Sequence, residues 1–182
     1  MSKTGFFTHA DCARHDMGRG HPECPERLSA IRDRLLATGI DHGLTEIEAP
    51  LATTEDLLLA HDPRLVEAIT DMNLDLQNEI AQGGRGLVHI DPDTALNGYS
   101  YNAAMRCVGA ALAATDAVLG GELDNAFCAI RPPGHHATRS RSMGFCIFNT
   151  IAIAVNHALE RHGLERVAVV DFDVHHGNGT ED

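Results

Sequence analysis

Two continuously apolar runs, Ala126 to Ile130 (AFCAI) and Val167 to Val170 (VAVV), bracket a helical stretch from about Ile147 to His162 that closes at Gly163. Strands without polar alternation need cover on both faces, and two of them joined by a crossover helix run parallel. The crossover should be right-handed. The expected fold class is α/β: three αβα layers around a mainly parallel sheet.

Upstream, Thr4 to Thr8 (TGFFT) reads as a short strand leading into a polar loop that reaches Pro25. From Glu26 the chain reads ERLSAIRDRLLATG, which places Leu28, Ile31, Leu35 and Leu36 on one face of an amphipathic surface helix with Gly39 as its stop. Thr53 with Asp56 forms a capping-box pattern, and Asp62-Pro63 supplies an N-cap and a first-turn proline, so two more short helices are expected. Gln82 to Gly98 has no periodicity and reads as one long loop of the kind that often binds ligands. Within it, Asp91 is a candidate to bind a substrate amide, beside Asp93. Tyr99 to Leu119 is rich in alanine and reads as a long, closely packed helix ended by Gly120-Gly121.

At 182 residues the chain is long enough for one domain with a sizeable core. Lys and Arg total 14 against 26 Asp and Glu, a formal net charge of -12, and no basic run occurs. Direct contact with nucleic acid is therefore not expected, whereas a cationic partner would be attracted. The five cysteines form no CxxC pair, which fits free thiols in a reducing compartment. No stretch approaches the about 18 consecutive apolar residues of a membrane span, and a cytoplasmic location is expected.

The chemistry collects just past the carboxyl ends of the two parallel runs, where open α/β sheets place their ligands. The second run opens into DFDVHHGNG. Asp171, Asp173 and His175 share a period-two register, so Asp173 and His175 can reach one ion together. Carboxylate oxygen with imidazole nitrogen suits zinc, of which a catalytic site takes about three protein ligands and leaves one position open. The first run opens into RPPGHH, where two prolines stiffen the approach to His135 and His136. An imidazole pair beside a metal suits general acid–base work, because an unperturbed histidine titrates near about 6.5.

RPPGHHA, GFCIFN and VDFDVHHGNGTED, in that order and preceded by GHPECPERL, resemble the histone deacetylase family, including bacterial deacetylase-like amidohydrolases and acetylpolyamine amidohydrolases. The resemblance implies an arginase/deacetylase-like fold. It puts the zinc ligands on Asp173 and His175, the tandem active-site histidines on His135 and His136, and their partners on Asp171 and Asn178. It puts the wall of an acyl-lysine tunnel on Gly144 and Phe145, and a structural potassium ion on main-chain oxygens around the turn from Asp171 to His175. Because Asn178 is a neutral amide where some relatives have Asp, His136 should be less basic than His135 and better suited to act as the base.

The implied activity is zinc-dependent removal of an acetyl group from acetyl-lysine or an acetylated polyamine by metal-activated water, with no covalent acyl-enzyme. The third zinc ligand, the oxyanion-stabilising residue and a Gly-rich loop are expected beyond Asp182, which makes residues 1–182 the N-terminal part of one deacetylase-like catalytic domain. These residues alone are expected to be nearly inactive and to associate into homo-oligomers. The competing reading is a catalytically silent metal-binding or assembly module. A dinuclear manganese ureohydrolase is disfavoured because only one D-x-D-x-H-H cluster is present.

Overall fold

The structure, a computed structural model, describes residues 2–182. Three strands form a parallel sheet: β1 (Thr4–Thr8) lies in the middle, with β2 (Leu44–Glu48) on one side and β5 (Asn125–Cys128) on the other. Thr4 stands opposite both Leu44 and Asn125. Because side chains alternate across a strand, Phe6 and Phe7 point to opposite faces, and each face is covered separately. Phe7 joins Ala110, Ala114 and Leu123 in a core under α4 (Ser100–Leu119). On the other face Phe6 stacks on Phe127 at 6.0 Å and lies beneath Leu35 and Leu36 of α1 (Glu26–Thr38). This is a three-layer αβα fold.

The alanine-rich composition of α4 serves close approach. A Cβ at Gly109 would lie 2.0 Å from the carbonyl oxygen of Pro50, so only glycine lets the helix pass the loop after β2 there. Beyond α4, a larger core joins Leu57, Val66, Ile69, Leu76, Val108 and Ile153. These residues come from α2 (Thr54–Leu57), α3 (Pro63–Ala81), α4 and α5 (Thr150–Glu160).

Several local expectations hold, and others need correction. The capping box is present, with Thr53 and Asp56 each accepting from the other's backbone N–H. Gly39 ends α1, whose Leu28, Ile31 and Leu35 are half-buried, but Leu36 is 57% exposed and lies at the margin of that face. Of the two helices after Thr53, α3 is long, at 19 residues, and Asp62 makes no side-chain cap to it. The segment Gln82 to Gly98 is not one loop: β3 (Leu87–Asp91) and β4 (Thr94–Asn97) pair as an antiparallel hairpin. Glycines and aspartates flanking strands this short hide the alternation that would have announced them.

The largest correction concerns Val167 to Val170. This run lies near Asn125 and Ala126 but pairs with no strand among the described residues. A strand apolar on both faces is held in a sheet by neighbours and by cover, and here Val170, Phe172 and Val174 are 84%, 96% and 93% exposed. Cavities of 560 and 540 Å³ lie behind it. Among the described residues, no helix is long and apolar enough to cross a membrane.

Candidate active site

The loop after β5 carries His135 and His136, and a buried ion pair fixes where it starts. Arg131 donates to both carboxylate oxygens of Glu23, and its Nη1 also donates to the carbonyls of Cys12 and His15, at 2.9 Å each. Arg131 and Glu23 are 3% and 1% exposed, so the pair is dry. Burial alone would raise the Glu23 carboxyl, but hydrogen bonds from His15 and Arg131 outweigh it and hold the group below the usual carboxylate range. The far end of the loop is tied by buried Asn149, which caps α5 through Ala152 N–H and donates from Nδ2 to the Ala137 carbonyl at 3.0 Å. His61 accepts from Asn149 N–H at 2.8 Å and donates from Nδ1 to the Thr138 carbonyl at 2.9 Å.

Between these anchors the two rings lie side by side, with centroids 4.1 Å apart and planes tilted by 49°. Each is oriented through Nδ1 by its own partner: Asp171 Oδ2 at 2.8 Å from His135, and Asn178 Oδ1 at 2.7 Å from His136. The Asn178 Nδ2 faces the His136 carbonyl and the Met143 sulfur, which settles which way its amide is turned. The imidazole of His135 holds the Asp171 carboxyl below the usual range. Asn178 opens the short helix α6 (Asn178–Glu181), and the N–H groups of Gly179 and Thr180 donate back to the His135 carbonyl at 2.9 and 3.2 Å.

The turn from Asp171 to His175 is built from its own carboxylates. Asp171 Oδ1 accepts from Asp173 N–H at 3.0 Å, and Asp173 Oδ1 accepts from His175 N–H at 2.8 Å, which depresses the Asp173 carboxyl. Asp173 Oδ1 also lies 3.0 Å from His175 Nδ1, and the His175 ring centroid is 6.0 Å from that of His136. His176 turns away to Glu181, at 2.7 Å.

Gly144 and Phe145 both occupy the left-handed region, at φ 56° and 68°. A Cβ at Gly144 would lie 2.5 Å from Cδ2 of His136, so this glycine gives the ring its space. Phe145 N–H donates to the Thr94 hydroxyl at 2.9 Å, and its ring meets His21 edge-on at 4.6 Å. His21 in turn lies 3.1 Å from the carbonyl of Asp93. The hairpin that carries Asp91 is thereby docked beside Phe145, although Asp91 itself accepts from Asp93 N–H within its own turn. Cys146 is fully buried, its thiol is pushed up to about 12 by burial, and its sulfur accepts from His136 N–H. It is no nucleophile.

Sequence reasoning passed over Arg131, Glu23, Asn149, His61, His21 and Thr94 as members of the site. The signal available was their place in the quoted motifs: His21 and Glu23 fall inside GHPECPERL, Arg131 opens RPPGHHA and Asn149 closes GFCIFN.

An α/β domain with a doubly partnered histidine pair beside an Asp-x-His turn defines a class, and comparison with known proteins places the chain within it. The family model for the histone deacetylase domain matches residues 21–182, and the chain belongs to the histone deacetylase family. It is 42% identical over 162 residues to a histone deacetylase-like amidohydrolase of Pseudomonas aeruginosa, an alignment covering 89% of this chain and 40% of the relative. It is 36% identical to the human polyamine deacetylase HDAC10, over 98% of this chain and 27% of that one. The crystal structure of the HDA15 HD domain superposes with a TM-score of 0.88 at 32% identity, covering all of this chain and 50% of that chain. The chain thus spans half or less of these relatives.

Proposed function

We propose that these residues contribute the histidine pair and two metal ligands of a zinc-dependent amidohydrolase that removes an acetyl group from acetyl-lysine or an acetylated polyamine. The observation that carries this is the asymmetric partnering of the pair: a carboxylate on His135 and an amide on His136, beside an Asp173–His175 donor pair. The donor set fits zinc in type. Its two atoms, 3.0 Å apart, are near the about 3.4 Å that separates two ligands of one tetrahedral ion. Asp173 and His175 would hold the metal, which when bound polarises an amide carbonyl and acidifies water.

The chain's own residues then do the following. His136, with its proton on Nδ1 held by Asn178, offers the Nε2 lone pair to take a proton. His135, backed by Asp171, is the better holder of a positive charge and donates a hydrogen bond. Gly144 and Phe145 would flank the acyl chain, with the Asp91 hairpin beside them. The names of the relatives support the substrate class, since one is a polyamine deacetylase and another a deacetylase-like amidohydrolase. We further propose that residues 1–182 make up the first part of one catalytic domain.

A second reading, a silent metal-binding module, is favoured by one observation: no third His, Cys, Asp or Glu converges with Asp173 and His175 among the described residues. Zinc content and hydrolysis of acetyl-lysine peptide and acetylated polyamine decide between them. The enzyme reading expects His136→Ala to keep zinc and lose turnover, and Asp173→Ala or His175→Ala to lose both. The assays use a chain extended through the family's remaining motifs, and zinc binding there without hydrolysis of either substrate would support the silent module.

A further inference from the structure

A second cluster of metal-binding side chains lies at the other end of α5. His157 sits in the last turn of that helix, about 12 Å along the axis from its Asn149 cap. His162 follows in the turn before Gly163, and Asp116 comes from the last turns of α4. The Nε2 atoms of both histidines lie 2.6 Å from one and the same oxygen, Asp116 Oδ1. Their ring centroids are 5.3 Å apart with planes at 65°, so an imidazole from α5, one from the turn that follows it and a carboxylate from α4 aim at a common point. Two simple hydrogen bonds could have used the two carboxylate oxygens separately.

From this geometry we infer that Asp116, His157 and His162 form a second site for a divalent transition metal of the zinc class. Two imidazole nitrogens and one carboxylate oxygen suit zinc or cobalt and are poor company for calcium or magnesium, which prefer all-oxygen shells. Ligand atoms of one tetrahedral ion stand about 3.4 Å apart, so each imidazole nitrogen draws back from Asp116 by less than an ångström to admit it. His162 lies outside the helix and is free to make that shift. Two helix C-termini meet here, and their partial negative charge favours a cation. The carboxylate is already ionised: burial disfavours its charge, but the two imidazole contacts outweigh that and keep Asp116 below the usual range. Asp116 is 53% exposed along its side chain and leaves an entry path, whereas His157 is 12% exposed and packed beneath it. A bound ion would cross-link α4 to the turn that leads into Val167 to Val170.

The test uses cobalt(II) alone as probe, in protein carrying Asp173→Ala and His175→Ala so that the first proposed site cannot contribute. Calorimetry should count one cobalt per chain, with visible d–d absorption of a low-coordinate imidazole site, and zinc should displace it. Adding His162→Ala should weaken binding at least tenfold, and adding Asp116→Asn should do the same while keeping the hydrogen-bonding shape. His162→Gln, with circular dichroism matched to the parent, covers the case in which His162→Ala misfolds. Saturable binding that survives all three changes, or no saturable binding in the parent, would overturn the assignment and leave the cluster as a hydrogen-bonded clasp between helices.

Discussion

Asn178 accepts a hydrogen bond from Nδ1 of His136 at 2.7 Å, whereas Asp171 takes the matching place on His135 at 2.8 Å. One neighbour is a neutral amide and the other a carboxylate, so two adjacent rings of the same type are held by partners of different charge. Converting the neutral partner to a charged one should erase the difference. We expect Asn178→Asp to lower turnover of acetyl-lysine peptide by the complete catalytic domain about tenfold while leaving its zinc content unchanged, because a charged partner favours the protonated ring, which cannot act as a base. Unchanged turnover would contradict the role assigned to Asn178.

Gly144 stands in the left-handed region against the His136 ring. Gly144→Ala adds backbone strain and a collision, and should lower the unfolding free energy by about 1 to 3 kcal/mol in urea titration. The His136 ring signals should shift at the same time, since that ring is the atom group in the way.

Glu23 and Arg131 form a dry pair, and removing one partner leaves a buried charge alone. Glu23→Ala should cost about 3 to 5 kcal/mol by denaturant titration, far more than an exposed pair such as Arg32–Glu46. Equal losses from Glu23→Ala and Glu46→Ala would show that burial of the pair has been overstated.

His61 is buried with both ring nitrogens engaged, and burial depresses its pKa despite the opposing Thr138 and Arg139 carbonyls. The folded state therefore prefers the neutral ring. Its contribution is complete above the unfolded value of about 6.5 and is lost as pH falls from there toward the lower folded value. The melting temperature should decline on acidification from pH 7 to 5.5, and the His61→Gln variant should decline less over that interval. Parallel curves would assign the effect to other histidines.

Sequence alone was enough for the elements whose signal is local. Phe6, Phe7 and the AFCAI run marked strands through unbroken apolar character, the alanine-rich stretch marked α4, and Thr53 with Asp56 marked a helix start, because each rests on contacts within a few residues. The histidine pair and the Asp-x-Asp-x-His turn were legible for the same reason: their chemistry is written in adjacent letters. Tertiary structure decided the rest. Apolar character marks Val167 to Val170 as fit for a sheet, but pairing depends on neighbours elsewhere in space, and no strand among the described residues pairs with it. The hairpin from Leu87 to Asn97 docks at Phe145 through Thr94, across 51 residues, and Arg131 finds Glu23 across 108. Asp116, His157 and His162 meet only because α4 and α5 pack side by side. No periodicity encodes such meetings, because the free energy that makes them comes from burying whole helices and sheets, and the side chains that meet are carried along by that packing.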